Sequence, residues 1–423
     1  MFGKDSNETA QRLQVVRIVG FMFAAQICCL SGFSAFASTL VKLTALWHLD
    51  STRAGWISSA YFIGYTIGVP LLVALTDRVD ARAIYLTGCA TGAIAGCGFA
   101  LFANGFWSAC LFQALAGLAA GGTYMPGLRV MTGRLTGRTR IRAVPYYTTA
   151  FAVGISVSFL ISGLVEARWG WRAAFLAGGV GSAFGAVFVL LASRGIVAQR
   201  EVSGTTRHPL DFRPVLRNHD AMAYVLAYGG HCWELFAFRA WLPTYLFFAW
   251  HRFSSADAGL ALSRWSMLIV LVGVPASIIG AESANPESRN RLIRRFEFGA
   301  IAACGLTMIC GHISFGLALA ALFAYNIAIA ADSGALTAGI VSVARADEQG
   351  ATLAIYSLVG FMGGAIGPLL VGNVLDRGGG FGSGHAWLLG FAAMGTGSAL
   401  AAVAISRASG QSKASSVTTP DSN

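Results

Sequence analysis

Charged residues are scarce in this chain. Only 12% of its 423 residues are Asp, Glu, Lys or Arg, whereas 55% are hydrophobic and the mean hydropathy is +0.63. Soluble globular domains carry roughly 25% charged residues, so a water-soluble fold of this composition would expose too much apolar surface. The shortage of charge excludes an ordinary soluble protein and predicts that the chain folds within a lipid bilayer.

Motifs of enzymes and metal sites are also missing. The sequence contains no Gly-x-Ser-x-Gly elbow, no His-Glu-x-x-His pair and no Walker A loop, which argues against a membrane enzyme. Its eight cysteines lie in apolar stretches without metal-ligand spacing, and we interpret them as small buried hydrophobic residues. We therefore expect no catalytic residue, no metal and no cofactor.

Long apolar stretches are abundant. A helix needs about 20 apolar residues to cross a bilayer, and the first stretch is too long to be a cleaved signal. We predict an all-α membrane protein with twelve spans, near residues 17–41, 53–75, 84–103, 106–131, 144–166, 172–192, 221–247, 257–280, 296–314, 316–343, 351–373 and 386–405.

A polar segment separates two groups of six spans. The predicted division is an N-terminal segment 1–16, a six-helix bundle 17–192, a linker 193–220, a second bundle 221–405 and a tail 406–423. With the N-terminus inside, about 21 of the 30 basic residues fall in cytoplasmic segments and about six in outer loops. The positive-inside bias then places both termini in the cytoplasm, in a multi-pass protein of the inner or plasma membrane. The same bias explains the net charge of +11 without a nucleic-acid partner.

The two groups of spans repeat each other in sequence. Gly68-Val69-Pro70 closes the second span and Gly273-Val274-Pro275 the eighth, each followed seven residues after its proline by an acid, Asp77 and Glu282. A second match, at an offset of 209 residues, joins the fifth span to the eleventh through Tyr147, Gly154 and Gly163 against Tyr356, Gly363 and Gly372. Two parallel halves are typical of secondary transporters.

This arrangement resembles the major facilitator superfamily over the whole chain except its ends. The loop after the second span in that family reads Gly-x3-Asp-Arg-x-Gly-x-Arg. Asp77, Arg78 and Arg82 match it here, while Val73 and Asp80 replace the glycines. The Trp-Gly-Trp-Arg sequence at 169–172 is also common in the superfamily. The runs 121–128 and 331–337 are similar to a bacterial branch grouped with nitrate/nitrite and cyanate permeases.

The chain departs from that branch at important positions. Nitrate porters carry an arginine in both the second and the eighth spans, but here only Arg264 is present and Ala60 stands at the other position. The arginine usual four residues before the fourth-span glycine is replaced by Gln113, before Gly117. The resemblance therefore implies a monomeric transporter that works by alternating access in the bilayer, and not a nitrate porter.

Charges within the apolar spans are the candidate functional residues, because a charge at the bilayer centre costs at least about 2.5–3.5 kcal/mol. Glu234 and His231 lie three residues apart, on one face of the seventh span and near the bilayer midplane. We predict that they couple transport to protons together with Asp332. Alternatively, Glu234 neutralises an arginine in a structural ion pair and His231 is a structural histidine.

Arginines of the seventh and eighth spans are the candidate substrate contacts. The guanidinium group binds carboxylates and oxyanions through two parallel hydrogen bonds, so we predict that Arg264 and Arg239 hold an anionic substrate. Tyr61, Tyr65 and Trp265 are candidate wall residues of the same site, with ordinary helix packing as the alternative.

A network at the cytoplasmic helix ends is implied by the family resemblance. It consists of Asp77, Arg78, Arg82 and Glu282. Arg129 either faces Asp332 and belongs to this inner gate or, equally, lies at the membrane interface as a snorkelling residue.

These residues predict a secondary transporter of a small anionic solute, coupled to protons. The alternative within the superfamily is an exporter of drugs or organic cations, which is disfavoured because the spans hold more arginines than matching acids. A membrane sensor without transport activity is disfavoured because the short loops offer little signalling surface. Symport and antiport both remain open.

Overall fold

The computed structural model describes residues 2–76, 78–135, 137–195, 213–256, 259–345 and 348–408. Within these ranges the chain is helical, and the helices group into twelve spanning units. The first unit consists of α1 and α2, and the next five are single helices. The bounds in the first half are α1 Phe2–Leu30, α2 Ala35–Trp47, α3 Ser51–Leu75, α4 Ala81–Phe102, α5 Phe106–Thr132, α6 Gly137–Trp169 and α7 Trp171–Ser193.

The second half repeats this order after a short helix, α8. Its tenth spanning unit is broken at Asp332 into α12 and α13. The bounds are α8 Arg213–Arg217, α9 His219–His251, α10 Gly259–Ser283, α11 Arg289–Cys310, α12 Phe315–Ala331, α13 Ser333–Val343, α14 Gln349–Arg377 and α15 Gly384–Ser406. The prediction of an all-α fold with twelve spans in two parallel halves is confirmed, whereas the domain limits stay a prediction because part of the linker lies outside the described residues.

Apolar composition and length account for these helices. A chain in lipid must satisfy its backbone hydrogen bonds internally, which favours helices. Eight helical segments of the described residues are long and apolar enough to cross a membrane on their own. The remaining units, α3, α5, α9 and α11, contain 22 to 33 residues each and pack among the other helices. Polar residues are concentrated in some of these less apolar helices, notably α9.

Two helix pairs make most of the contact between the halves. α3 packs on α14, and α6 packs on α10, so that the second span meets the eleventh and the fifth meets the eighth. Exchanging the halves converts one pair into the other. The repeated glycines lie in these contacts: Gly163 abuts the side chain of Ser263, and Gly372 abuts the backbone of Ser51. A side chain at either glycine would push the two halves apart on this side of the molecule. This side lies opposite the one that carries the chain termini.

Candidate functional site

A small cavity lies where the two halves meet. It measures about 30 Å³, which is space for one or two water molecules. The break between α1 and α2, together with helices α2, α3, α5 and α6, supplies its walls from the first half, and α9 supplies them from the second. Its lining is Phe33, Ser34, Phe36, Ala37, Ser58, Tyr61, Phe62, Gln113, Phe159, Phe236, Arg239 and Ala240.

Arg239 provides the charge of this cavity. Its Nε is buried and has no hydrogen-bond partner among the described residues, and its Cζ lies 5.7 Å from the ring centroid of Phe236. A cation over an aromatic face gains electrostatic energy, but a buried N–H without an acceptor is costly. The guanidinium can therefore donate hydrogen bonds to an anion that enters between the halves.

Ser58 faces the same cavity from α3. It is 7% exposed, and its Oγ is buried without a hydrogen-bond partner among the described residues. Ser58 does not stand out in the sequence, because a single serine within an apolar span is common in membrane helices. Only its position opposite α9 makes it a candidate contact.

The predicted substrate residues fall in different places. Tyr61 lines the cavity together with Arg239. Tyr65 is buried and stacks on Phe361 of the other half, with 3.8 Å between ring centroids. Trp265 packs edge-on against Phe323 at 6.4 Å. Arg264 is exposed and is not part of the cavity lining, so its pairing with Arg239 at one substrate stays a prediction.

A second polar cluster is buried inside the C-terminal half. Tyr325 donates a hydrogen bond of 2.5 Å to Glu234 Oε1, and Ser398 donates to Glu234 Oε2. His231 Nδ1 lies 2.8 Å from Asp332 Oδ1. Glu234, His231 and Asp332 are each at most 2% exposed. The three predicted coupling residues are therefore buried in the interior of the C-terminal half. In the described part of the chain no group of His, Cys, Asp and Glu is arranged to hold a metal ion.

Glu297 of α11 belongs to the same cluster, although the sequence analysis does not identify it. It is 3% exposed and lies next to Asp332 and Ser398. Three carboxyl oxygens here, Glu297 Oε1 and both of Asp332, have no partner with hydrogen-bond geometry among the described residues. The predicted ninth span begins near residue 296, whereas α11 begins at Arg289. The prediction therefore places Glu297 at the membrane edge, but the residue lies two turns inside the helix.

The predicted inner gate is described only in part. Asp77 lies outside the described residues. Arg78 and Glu282 are exposed at helix ends, and Arg129 is exposed in the last turn of α5. The backbone N–H of Arg82 donates to Asp80, which caps α4. A clamp formed by these residues stays a prediction.

Comparison with known proteins places the chain in a family. The family model of the Major Facilitator Superfamily matches residues 22–368. The solved structure of a bacterial homologue of the human lysosomal transporter Spinster, inward-facing and occupied, has a TM-score of 0.75 at 14% identity, covering 92% of this chain and 95% of that one. A D-xylose-proton symporter gives 0.74 at 13% identity, covering 92% of this chain and 97% of that one.

Curated relatives are named as transporters. A niacin transporter of Acinetobacter baylyi is 29% identical over 174 residues, which is 41% of this chain and 38% of that protein. A gentisate transporter of Corynebacterium glutamicum is 24% identical, covering 85% of this chain and 80% of that protein. A probable L-galactonate transporter of Escherichia coli is 23% identical, covering 86% and 84%. The chain is thus an integral membrane transporter and not an enzyme, and it belongs to the Major Facilitator Superfamily.

Proposed function

We propose that this protein is a secondary active transporter that moves a small organic anion by alternating access, coupled to protons. The observation that carries the proposal is the guanidinium of Arg239, whose buried Nε lacks a partner in a cavity between the halves. Among the described lining residues of that cavity there is no acid to neutralise it. An anionic substrate would supply the missing acceptor and the missing charge.

The names of the relatives support an organic anion. Niacin, gentisate and galactonate each carry a carboxylate, and a further relative, in Oryza sativa, is named a probable anion transporter. The alternative of a cation exporter has one relative in its favour, a multidrug transporter protein of Bacillus subtilis that is 25% identical over 206 residues. The charge of the cavity favours the anion.

The cluster around Glu234 is the proposed coupling site. Closely packed carboxyl groups in a medium of low dielectric cannot all be charged at once, because like charges repel and burial disfavours the ionised form. Glu234, Asp332 and Glu297 therefore provide places where protons bind and leave as the protein changes conformation. His231 beside Asp332 provides a neighbouring proton acceptor.

The experiment is uptake into proteoliposomes under an imposed pH gradient. Nicotinate, gentisate and L-galactonate serve as anionic probes and tetraphenylphosphonium as the cationic one. We expect at least one anion to accumulate with the gradient, and Glu234→Gln to abolish driven uptake while leaving exchange of labelled for unlabelled anion intact. The exposed Glu287 on the loop before α11 provides the control Glu287→Gln. Gradient-driven movement of the cation alone, or unchanged driven uptake in Glu234→Gln, would contradict the proposal.

The distribution of basic residues supports an orientation with both termini in the cytoplasm and a location in the inner or plasma membrane. A fluorescent reporter that folds only in the cytoplasm, fused after residue 423, is expected to be active. Activity of a periplasmic phosphatase fused at the same point would show the opposite orientation.

A further inference from the structure

The cavity between the halves contains two unpartnered polar groups from opposite sides. Arg239 Nε comes from α9 and Ser58 Oγ from α3, and neither has a hydrogen-bond partner among the described residues. Arg239 Nε can only donate and the Ser58 hydroxyl can donate, and both residues line the same cavity. Buried donors without acceptors are rare in folded proteins, so an acceptor that enters this small space between the halves would pair both groups. A carboxylate, with two oxygens, can accept from both.

Much of the remaining wall is aromatic. Phe33, Tyr61, Phe62, Phe159 and Phe236 line the cavity beside the two donors. Gln113 is neutral, and Arg239 is the only charged residue among the described lining. One guanidinium without an opposing acid matches one negative charge, so a dianion would leave its second charge without a cationic partner among the described lining, at a high desolvation cost.

Rings of the two halves also contact each other directly. Phe62 of α3 lies 4.5 Å from Phe236 of α9, and Tyr65 of α3 stacks at 3.8 Å on Phe361 of α14, measured between ring centroids. These contacts must separate when the halves part, and each exposes a flat apolar face. A planar aromatic ring that enters between Phe62 and Phe236 replaces the lost ring contact on both sides.

The size of the cavity is consistent with a ring that enters only after the halves have separated. About 30 Å³ accommodates a carboxylate-sized group but not a ring. The ring can enter only when the halves have parted, at the place where the Phe62–Phe236 contact has opened.

From this geometry we infer that the transported anion is a planar aromatic monocarboxylate, with its carboxylate on Arg239 and Ser58 and its ring between Phe62 and Phe236. This inference rests on the proposed function, because it identifies the substrate class of the same site.

Equilibrium binding to purified protein, measured by titration calorimetry without any gradient, tests the inference. The probes are benzoate, cyclohexanecarboxylate, phthalate and benzylammonium, which vary the ring, the charge number and the sign of charge separately. We expect benzoate to bind roughly threefold to tenfold more tightly than cyclohexanecarboxylate, as aromatic contacts allow, and phthalate and benzylammonium to bind more weakly still. Equal affinity for benzoate and cyclohexanecarboxylate, or tighter phthalate binding, would overturn the inference.

Two variants separate the ring contact from the carboxylate contact. Phe236→Leu should remove the preference for benzoate over cyclohexanecarboxylate, and Ser58→Ala should weaken both ligands equally. Arg252→Gln, at the exposed end of the same helix α9, is the control and should bind as the wild type does.

Failure of the inference and failure of the proposed function give different results. If the aliphatic acid binds as well as the aromatic one and both are transported, the substrate class is wrong and the anion transporter stands. If benzylammonium binds and none of the three anions does, the proposed function itself fails.

Discussion

Arg239 illustrates how one residue can identify a site in a membrane transporter. A guanidinium within an apolar span must be compensated, since burying a charge in lipid is expensive. The structure provides a nearby ring of Phe236 but no acid and no acceptor for Nε among the described residues. The uncompensated part of this charge is the reason why we propose Arg239 as a binding residue rather than a structural one.

Glu297 carries the residue-scale prediction. It lies beside Asp332, so removing its carboxyl group changes how many protons the buried cluster can hold. We expect Glu297→Gln to lower the accumulation ratio reached under a fixed pH gradient, while the equilibrium affinity for the anion stays within about twofold of the wild type, because Glu297 is not among the residues that line the cavity. Accumulation ratios in proteoliposomes measure the first quantity and calorimetry the second.

The exposed Glu287 serves as the matched control for this prediction. If Glu297→Gln and Glu287→Gln both accumulate the anion as the wild type does, the buried carboxyl group has no part in coupling. If Glu297→Gln instead loses affinity for the anion, its role belongs to binding.

Some of these residues stand out in the sequence for a physical reason. Charges within apolar stretches stand out, so Arg239, Glu234 and Asp332 can be identified from the amino-acid sequence alone. Ser58 and Glu297 cannot, because a serine is common in such helices and a helix boundary in a membrane is blurred by a basic, polar first turn. The predicted start of the ninth span lies about seven residues after the observed helix start at Arg289.

At the scale of elements, α3 and α14 form a latch between the halves. The carboxylate of Asp376 in α14 accepts hydrogen bonds from Ser51 N–H at 2.8 Å, Thr52 N–H at 2.7 Å and the Thr52 hydroxyl at 2.6 Å. The first N–H groups of a helix have no partners within it, and its N-terminus attracts negative charge. The latch closes the face opposite the termini and must break for that face to open.

Asp376→Asn should shift the population toward conformations open on this face. Hydrogen bonds to charged groups contribute about 1.5–3 kcal/mol, so the open fraction should rise about tenfold or more. We expect faster amide hydrogen exchange in residues 55–62 and 365–372, where Ser59 donates to the Ala365 carbonyl and Gly55 approaches Pro368. These segments lie beyond the latch itself, so their exchange reports separation of the helices.

Asp50 provides the comparison for the latch. Its carboxylate caps the same helix from within the first half, by accepting from the backbone N–H of Arg53 at 2.7 Å. Asp50→Ala removes this acceptor and should therefore speed exchange near residue 53 without changing residues 365–372. Identical exchange in Asp376→Asn and wild type would mean that the latch does not hold the halves together.

Helix breaks at this scale are not predicted by the sequence. The first unit is expected as one helix, but it is interrupted at residues 31–34, and the tenth is interrupted at Asp332. Hydropathy averages over about 20 residues and is insensitive to a short break. Both breaks are bordered by small or polar residues that can form hydrogen bonds to neighbouring helices. At the first break, for example, the Ser34 N–H donates to Ser158 Oγ of α6.

At the scale of the whole molecule, the sequence repeat predicts the architecture. Gly163 and Gly372, matched at an offset of 209 residues in the sequence, occupy equivalent positions in the two largest helix pairs between the halves, α6 with α10 and α3 with α14. Hydropathy determines the number of spans, and the repeat determines their parallel arrangement. The conformational state cannot be predicted in this way, because the same sequence must form both an outward-open and an inward-open arrangement.

The central claim is that an anion binds between the halves on Arg239, and ligand-induced thermal stabilisation tests it most directly. Purified wild type, Arg239→Gln and the control Arg252→Gln are melted with increasing benzoate. A ligand at a hundredfold excess over its Kd stabilises the folded state by about 2.7 kcal/mol, and loss of a charged hydrogen bond should weaken binding by roughly tenfold to a hundredfold. We predict matching stabilisation of the wild type and Arg252→Gln and little for Arg239→Gln. Equal stabilisation of all three proteins would contradict the claim.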